Sequence, residues 1–219
     1  MIKAVIFDKD GVIVDSEPIQ FQSFQETVAE YGGIFTLDDH KNLSLGKSGT
    51  KSYKIIAEKY NITDIEIFIQ KRRERYRKLA EEKLQIRTGA FKLIRQLHKH
   101  YLLAVASGSS EKLLHYDLDK FNLSHFFKVI VSSQYLKSKP DPEVFLVAAE
   151  KLRMDPKNCL VIEDTEMGVQ AAKSAGMYCI AVPHEISAHQ DFSKADLVVN
   201  SLEKVDLLIT KNSNLFYGK

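Results

Sequence analysis

Cysteine is scarce. Only Cys159 and Cys179 occur in 219 residues, both inside apolar runs and without the CxxC or Cys/His spacing of a zinc site. They read as small buried hydrophobes of a reducing compartment, not as a disulfide framework. Excess charge of one sign is also lacking: 31 Lys plus Arg face 29 Asp plus Glu, a net charge of +2, so any recognition of phosphate must be local. No apolar run approaches the roughly 18 to 20 residues of a membrane span. The opening MIKAVIFDKDG turns acidic too early, and lacks the cleavage site, for a signal peptide. A soluble cytoplasmic protein with no membrane partner is expected. No repeat or low-complexity segment is visible, and 44% hydrophobic with 27% charged residues is ordinary for a globular chain of one or two domains.

Short apolar or β-branched runs alternate with amphipathic stretches, the pattern of a parallel sheet covered by helices on both faces. The expected strands are Ala4 to Phe7, Leu102 to Ala106, Val129 to Val131, Leu160 to Ile162, Tyr178 to Val182 and Leu197 to Val199. Val144, Phe145, Ala148, Ala149 and Leu152 recur at helical spacing behind Asp141 as N-cap and Pro142 as first helical residue. Val169, Ala171, Ala172 and Ala175 form a second helical stretch that stops at Gly176. The stretch between Phe7 and Leu102 is far too long for one crossover. It carries one apolar stripe at Phe21, Phe24, Val28 and Tyr31, and another at Ile65, Phe68, Ile69, Tyr76 and Leu79. The polar segment Leu45 to Thr50 between them reads as a loop. The fold class expected is therefore α/β, a doubly wound parallel sheet built from residues 1–15 and 86–219. A smaller all-helical domain, residues 16–85, is inserted after the first strand on two connections.

Ligands of open α/β sheets bind outside the carboxyl ends of the strands. Four such ends are chemically loaded. The first strand runs into Asp8-Lys9-Asp10-Gly11; alternation puts both aspartates on one side, where they repel unless a cation neutralises them or one stays protonated. Alternation turns Lys9 away from them, toward solvent; the other reading is a cation that tunes the acidic pair. The second ends in Ser107-Gly108-Ser109, a hydroxyl with backbone N–H groups suited to an anion. After the third comes Lys139 in a proline-stiffened Lys-Pro-Asp-Pro. The fourth ends in Glu163-Asp164-Thr165, hard oxygen donors that suit magnesium better than zinc. Each alone has an ordinary structural reading; the set does not.

Together these residues resemble the haloacid dehalogenase superfamily of hydrolases across nearly the whole chain. Asp15-Ser16-Glu17, Gly168 and Ala171 to Met177 are similar to its phosphatase and β-phosphoglucomutase-like branch, as is the place of the helical insert, that branch's cap domain. The resemblance implies a Rossmann-like core. It further implies Asp8 as nucleophile forming an aspartyl-phosphate, and Asp10 as general acid and base. Gly11, Ser107, Gly108 and Lys139 would bind the phosphoryl oxygens. Mg2+ would be held by Asp8, the Asp10 main-chain carbonyl and Asp164, with Glu163 as ligand or as outer partner of the ligands. In the cap, Gly46, Lys47, Lys51 and Arg72 are expected to select the substrate. Asp10 and the Glu163-Asp164 pair favour phosphate esters over the carbon chemistry of metal-free dehalogenases.

The implied activity is a magnesium-dependent phosphatase acting on a small phosphorylated metabolite, such as a sugar phosphate. β-Phosphoglucomutase is the rival, but Gln20 stands where its cap has a histidine and Gly49 where it has an arginine. The basic run Lys71 to Lys78 would argue for nucleic acid. Glu74, Glu81 and Glu82 break it up, so it reads as a solvated face and no nucleic-acid partner is expected. A catalytically idle sensor is disfavoured because no motif is missing. A monomer is the default.

Overall fold

The computed structural model describes residues 1–47 and 49–211. Ser48, inside the expected loop Leu45 to Thr50, lies outside the described residues. The chain forms two compact units, one of residues 1–14 and those from Ile86 onward, the other Asp15–Gln85. It enters the first unit through β1 (Ala4–Phe7) and leaves it along β2 (Val14–Asp15). The second unit holds α1 (Glu17–Ala29), α2 (Leu37–Asp39), a π-helical stretch His40–Ser44, α3 (Gly49–Lys59) and α4 (Ile65–Lys83). The chain returns along β3 (Gln85–Ile86), which pairs with β2. It continues through α5 (Ala90–Leu97), β4 (Leu102–Ser107), α6 (Glu111–Lys120), β5 (Val129–Ser132) and α7 (Glu143–Leu152). It then runs through β6 (Cys159–Glu163), α8 (Glu166–Ser174), β7 (Tyr178–Ala181), β8 (Leu197–Val198) and α9 (Leu202–Lys211).

Among the described residues, six strands form a parallel sheet in the order β5-β4-β1-β6-β7-β8. From β1 the chain winds outward to β4 and β5, and from β6 the other way to β7 and β8. The winding reverses between β1 and β6, the place in such sheets where ligands bind at the strand ends. Ala4 and Ile6 of β1 and Ala104 and Ala106 of β4 pack with Val144, Phe145 and Ala148 of α7 and Val169 and Ala172 of α8. Val5 and Phe7 therefore face the other side, where right-handed crossovers lay α5 and α6. The central strands are buried on both faces, which is why they read as unbroken apolar runs. Removing the Phe145 ring from this packing would cost about 3–5 kcal/mol.

Several expected boundaries move by a residue or two. The helix of α7 begins at Glu143, one residue later than expected, although Asp141 Oδ1 does accept the Glu143 N–H at 3.0 Å as a capping residue would. Gly49 and Thr50 belong to α3, so the expected loop ends sooner. The stop at Gly176 follows from its left-handed φ of +75°.

The helical unit closes around its own aromatic core. Phe24 stacks near Phe35 and Tyr53, with ring centroids 5.4 and 5.8 Å away, and Val28, Ile56 and Phe68 complete the cluster. Half of the basic run of α4 is paired with acids: Lys71 with Glu30, Arg75 with Glu26 and Glu30, and Lys78 with Glu74. Cys159 and Cys179 are buried free thiols. No helix among the described residues is long and apolar enough to cross a membrane.

Candidate active site

The turn after β1 is built by its own backbone. The Lys9 carbonyl accepts the N–H groups of Ile13 and Val14 at 2.9 and 3.1 Å, which curls the chain back. Gly11 makes this possible with φ +73°, and a Cβ there would lie 2.0 Å from Asp164 Oδ2. The glycine is required twice, for the turn and for the Asp164 carboxylate that abuts it. Arg87 staples the same turn, donating to the carbonyls of Gly11, Val182 and Pro183.

Lys139 reaches the ends of β1 and β6. Its Nζ donates to Asp8 Oδ1 and to Glu163 Oε1, both at 2.6 Å, and lies 4.8 Å from the centroid of Phe145. Burial works against the ammonium, but Asp8 and Glu163 outweigh it and hold Lys139 above the usual lysine range. Burial pushes the Asp8 carboxyl up to about 7; Lys139 opposes this, while Glu163 and Asp10 add to it. The site thus carries more negative charge than its lysine neutralises.

Glu163 is fully engaged. Oε1 meets Lys139, while Oε2 accepts from the N–H groups of Asp164 and Thr165 and from Thr165 Oγ1. Gly168 lies so close that a Cβ would sit 1.8 Å from Oε1. Of the two roles expected of Glu163, ligand or outer partner of the ligands, these bonds favour the outer one, in which it anchors Lys139.

Asp10 is gripped from both sides. Ser109 Oγ donates to its Oδ2 at 2.8 Å and Ser107 Oγ lies 3.4 Å from the same oxygen. Ser107 in turn accepts the Ser109 N–H at 3.0 Å. Lys9 Nζ lies 3.1 Å from Oδ1. The expectation that Lys9 points to solvent is wrong: its side chain is 0% exposed and pairs with Asp117 of α6. Alternation chose its face of the sheet correctly, but that face is covered. A Cβ on Gly108 would meet nothing within 4 Å, so the protein leaves the space beside it open.

In the helical unit, Gly46 turns the chain with φ +73°, and Lys47 Nζ donates to the Asn42 carbonyl at 2.6 Å. Burial, with Lys51 adding repulsion, holds Lys47 below the usual lysine range. Lys51 is exposed. Arg72, expected to help select the substrate, is 6% exposed, donates to Gln20 Oε1 and Tyr53 Oη, and stacks 4.4 Å from the Phe24 centroid. Its charge is committed to the packing of its own unit.

A sequence model of haloacid dehalogenase-like hydrolases matches residues 5–182. The chain belongs to this family. It is 32% identical over 179 residues to a phosphorylated carbohydrates phosphatase of Thermotoga maritima, covering 80% of this chain and 82% of that one. It is 33% identical over 220 residues to a β-phosphoglucomutase of Bacillus subtilis, covering 94% and 92%. The crystal structure of CbbY from Rhodobacter sphaeroides in complex with phosphate superposes with a TM-score of 0.83 at 26% identity, over 94% of this chain and 96% of that one.

For a hydrolase of this family the donor set is all oxygen, as a hard divalent cation prefers. Burial first, and the neighbouring Glu163 and Asp10 charges after it, raise Asp8, and the Asp164 carboxylate is seated against the Gly11 turn; both fit such an ion. Among the described residues no three His, Cys, Asp or Glu side chains group as a metal site. The expected set needs only the Asp8 and Asp164 side chains, with the Asp10 main-chain carbonyl. Sequence reasoning missed Ser109, Asp117 and Arg87. Ser109 stood inside a recognised motif, but nothing in the sequence singled out Asp117 or Arg87.

Proposed function

We propose that this hydrolase is a magnesium-dependent phosphatase that cleaves a small phosphomonoester, such as a sugar phosphate, through an aspartyl-phosphate on Asp8. The observation that carries the reading is the meeting of three strand ends at Lys139, 2.6 Å from both Asp8 and Glu163, beside an Asp10 held by Ser107 and Ser109. Phosphoryl transfer depends mostly on positioning and charge neutralisation, and these residues supply both.

In the first step an Asp8 carboxylate oxygen bonds to phosphorus as the ester P–O bond breaks, and Asp10 gives its proton to the departing alkoxide. In the second, Asp10 takes a proton from water, the water oxygen bonds to phosphorus, and the bond to Asp8 breaks, releasing inorganic phosphate. Lys9 offers only donors to Asp10 Oδ1, so the exchanged proton travels on Oδ2. Lys139, Ser107 and the N–H groups around Gly11 and Gly108 hold the phosphoryl oxygens. Asp8, Asp164 and the Asp10 carbonyl would hold Mg2+, which offsets charge between the carboxylates and the phosphoryl group. Lys47 and Lys51 are assigned to substrate selection.

A phosphotransferase reading has its support in the identity to the Bacillus subtilis β-phosphoglucomutase. Gln20 and Gly49, where the family resemblance puts a cap histidine and arginine in β-phosphoglucomutases, favour hydrolysis. The deciding experiment is phosphate release across a panel of phosphometabolites with Mg2+, including β-glucose 1-phosphate with its bisphosphate activator. Release from sugar phosphates supports the phosphatase; conversion of β-glucose 1-phosphate to the 6-phosphate without release would favour the mutase.

A further inference from the structure

Lys9 lies between the two site aspartates in sequence, yet no part of its side chain reaches solvent. It has the strand parity of Val5 and Phe7, which places it on the α6 side of the sheet. There Nζ meets Asp117, whose side chain is equally inaccessible, and it stays 3.1 Å from Asp10 Oδ1. The helix α6 is also the continuation of Ser107-Gly108-Ser109, whose hydroxyls reach Asp10 Oδ2. Both oxygens of Asp10 are therefore referenced to one rigid segment. Oδ2 is held by hydroxyls at its start, and Oδ1 by a lysine anchored within it. A carboxylate held at one oxygen still rotates about its Cβ–Cγ bond; held at both, its plane is fixed.

We propose that the buried Lys9–Asp117 pair is a positioning device for Asp10, setting the plane of the carboxylate that exchanges protons with the leaving group and with water. The proposal rests on the reading of Asp10 as general acid and base. A purely stabilising role is the alternative, and physical chemistry weighs against it. Buried ion pairs are on average no better for stability than apolar residues of the same shape. This pair is also imperfectly satisfied, since the buried Asp117 Oδ1 accepts no hydrogen bond from the described residues.

The difference is measurable with Lys9→Met combined with Asp117→Leu, which keeps both shapes and removes both charges. Lys9→Met alone strands the Asp117 carboxylate, so it lowers stability whichever role holds. The double variant is expected to regain the parental thermal midpoint within a few degrees while kcat for an alkyl phosphate stays about 30- to 100-fold down and KM moves less than about 3-fold. With p-nitrophenyl phosphate, whose leaving group needs no proton, formation of the phosphoenzyme should keep its parental rate in a rapid-mixing burst. A double variant with parental stability and parental kcat overturns the proposal, because the pair is then structural. If the double variant does not fold, Asp117→Asn is read the same way. A drop of about 10-fold in kcat at constant KM supports the proposal, and an unchanged kcat overturns it. A parent protein that releases no phosphate from any ester removes the phosphatase reading and this proposal with it, whereas an active parent matched by the double variant removes only the proposal.

Discussion

The Lys139 ammonium sits 2.6 Å from Asp8 Oδ1, joining the loop after β5 to the end of β1 across 131 residues of chain. Its second bond, to Glu163, adds the end of β6. Replacing Lys139 with Met should therefore strand two buried carboxylates and remove the cation that faces the phosphoryl group. Phosphate release should fall by at least about 100-fold, and the thermal midpoint should drop as well. A variant with near-parental turnover would show that Lys139 is only a structural cation.

Gly168 gives a test of Glu163 that leaves Glu163 itself unchanged. A Cβ at this position would sit 1.8 Å from Glu163 Oε1, so Gly168→Ala must displace the carboxylate that anchors Lys139. The expected cost is about 1–3 kcal/mol of stability, read by denaturant unfolding, together with lower turnover. An alanine tolerated without either effect would contradict the packing described.

Chelation should silence the enzyme, and added Mg2+ should restore it. Asp164→Asn should raise the half-saturating Mg2+ concentration by at least about tenfold, measured by titrating activity with the metal. Full activity in excess EDTA would exclude the assigned ion site.

The helical unit should lose stability in acid because of Asp39. Burial pushes its carboxyl up, but hydrogen bonds from Lys59, the Thr36 N–H, Tyr60 Oη and Thr36 Oγ1 outweigh that and hold it well below the usual carboxylate range. A carboxyl lowered on folding stabilises the native state above its unfolded value near 3.8, and that contribution is lost as pH falls through the folded value. Thermal melts should show a decline below about pH 4 that is smaller in Asp39→Asn. Equal acid sensitivity in both proteins would remove Asp39 as its source.

Much of the architecture was legible because parallel strands buried on both faces must be apolar throughout. Ala4 to Phe7 stands out for that reason, and the acidic and hydroxyl residues after each strand stand out against it. Other features depend on contacts that no local pattern encodes. Lys9 could be given a face but not a partner, since Asp117 lies 108 residues away. Glu163 read equally as a metal ligand or as an outer partner, because the sequence does not show that its oxygens meet Lys139 and the backbone at Asp164 and Thr165. Arg72 looked like a surface cation because the run around it is charged, yet the helical period turns that one residue inward onto Phe24. Arg87 carried no signal, because its three acceptors are backbone carbonyls from distant turns.

The most direct measurement is to quench the enzyme with acid during turnover of a phosphate ester and map the added phosphoryl group by peptide mass spectrometry. The account predicts one phosphoryl group on the peptide containing Asp8, labile to hydroxylamine, and absent in a folded, inactive Asp8→Asn variant. Steady turnover with no such adduct, or phosphate release by Asp8→Asn, would contradict it.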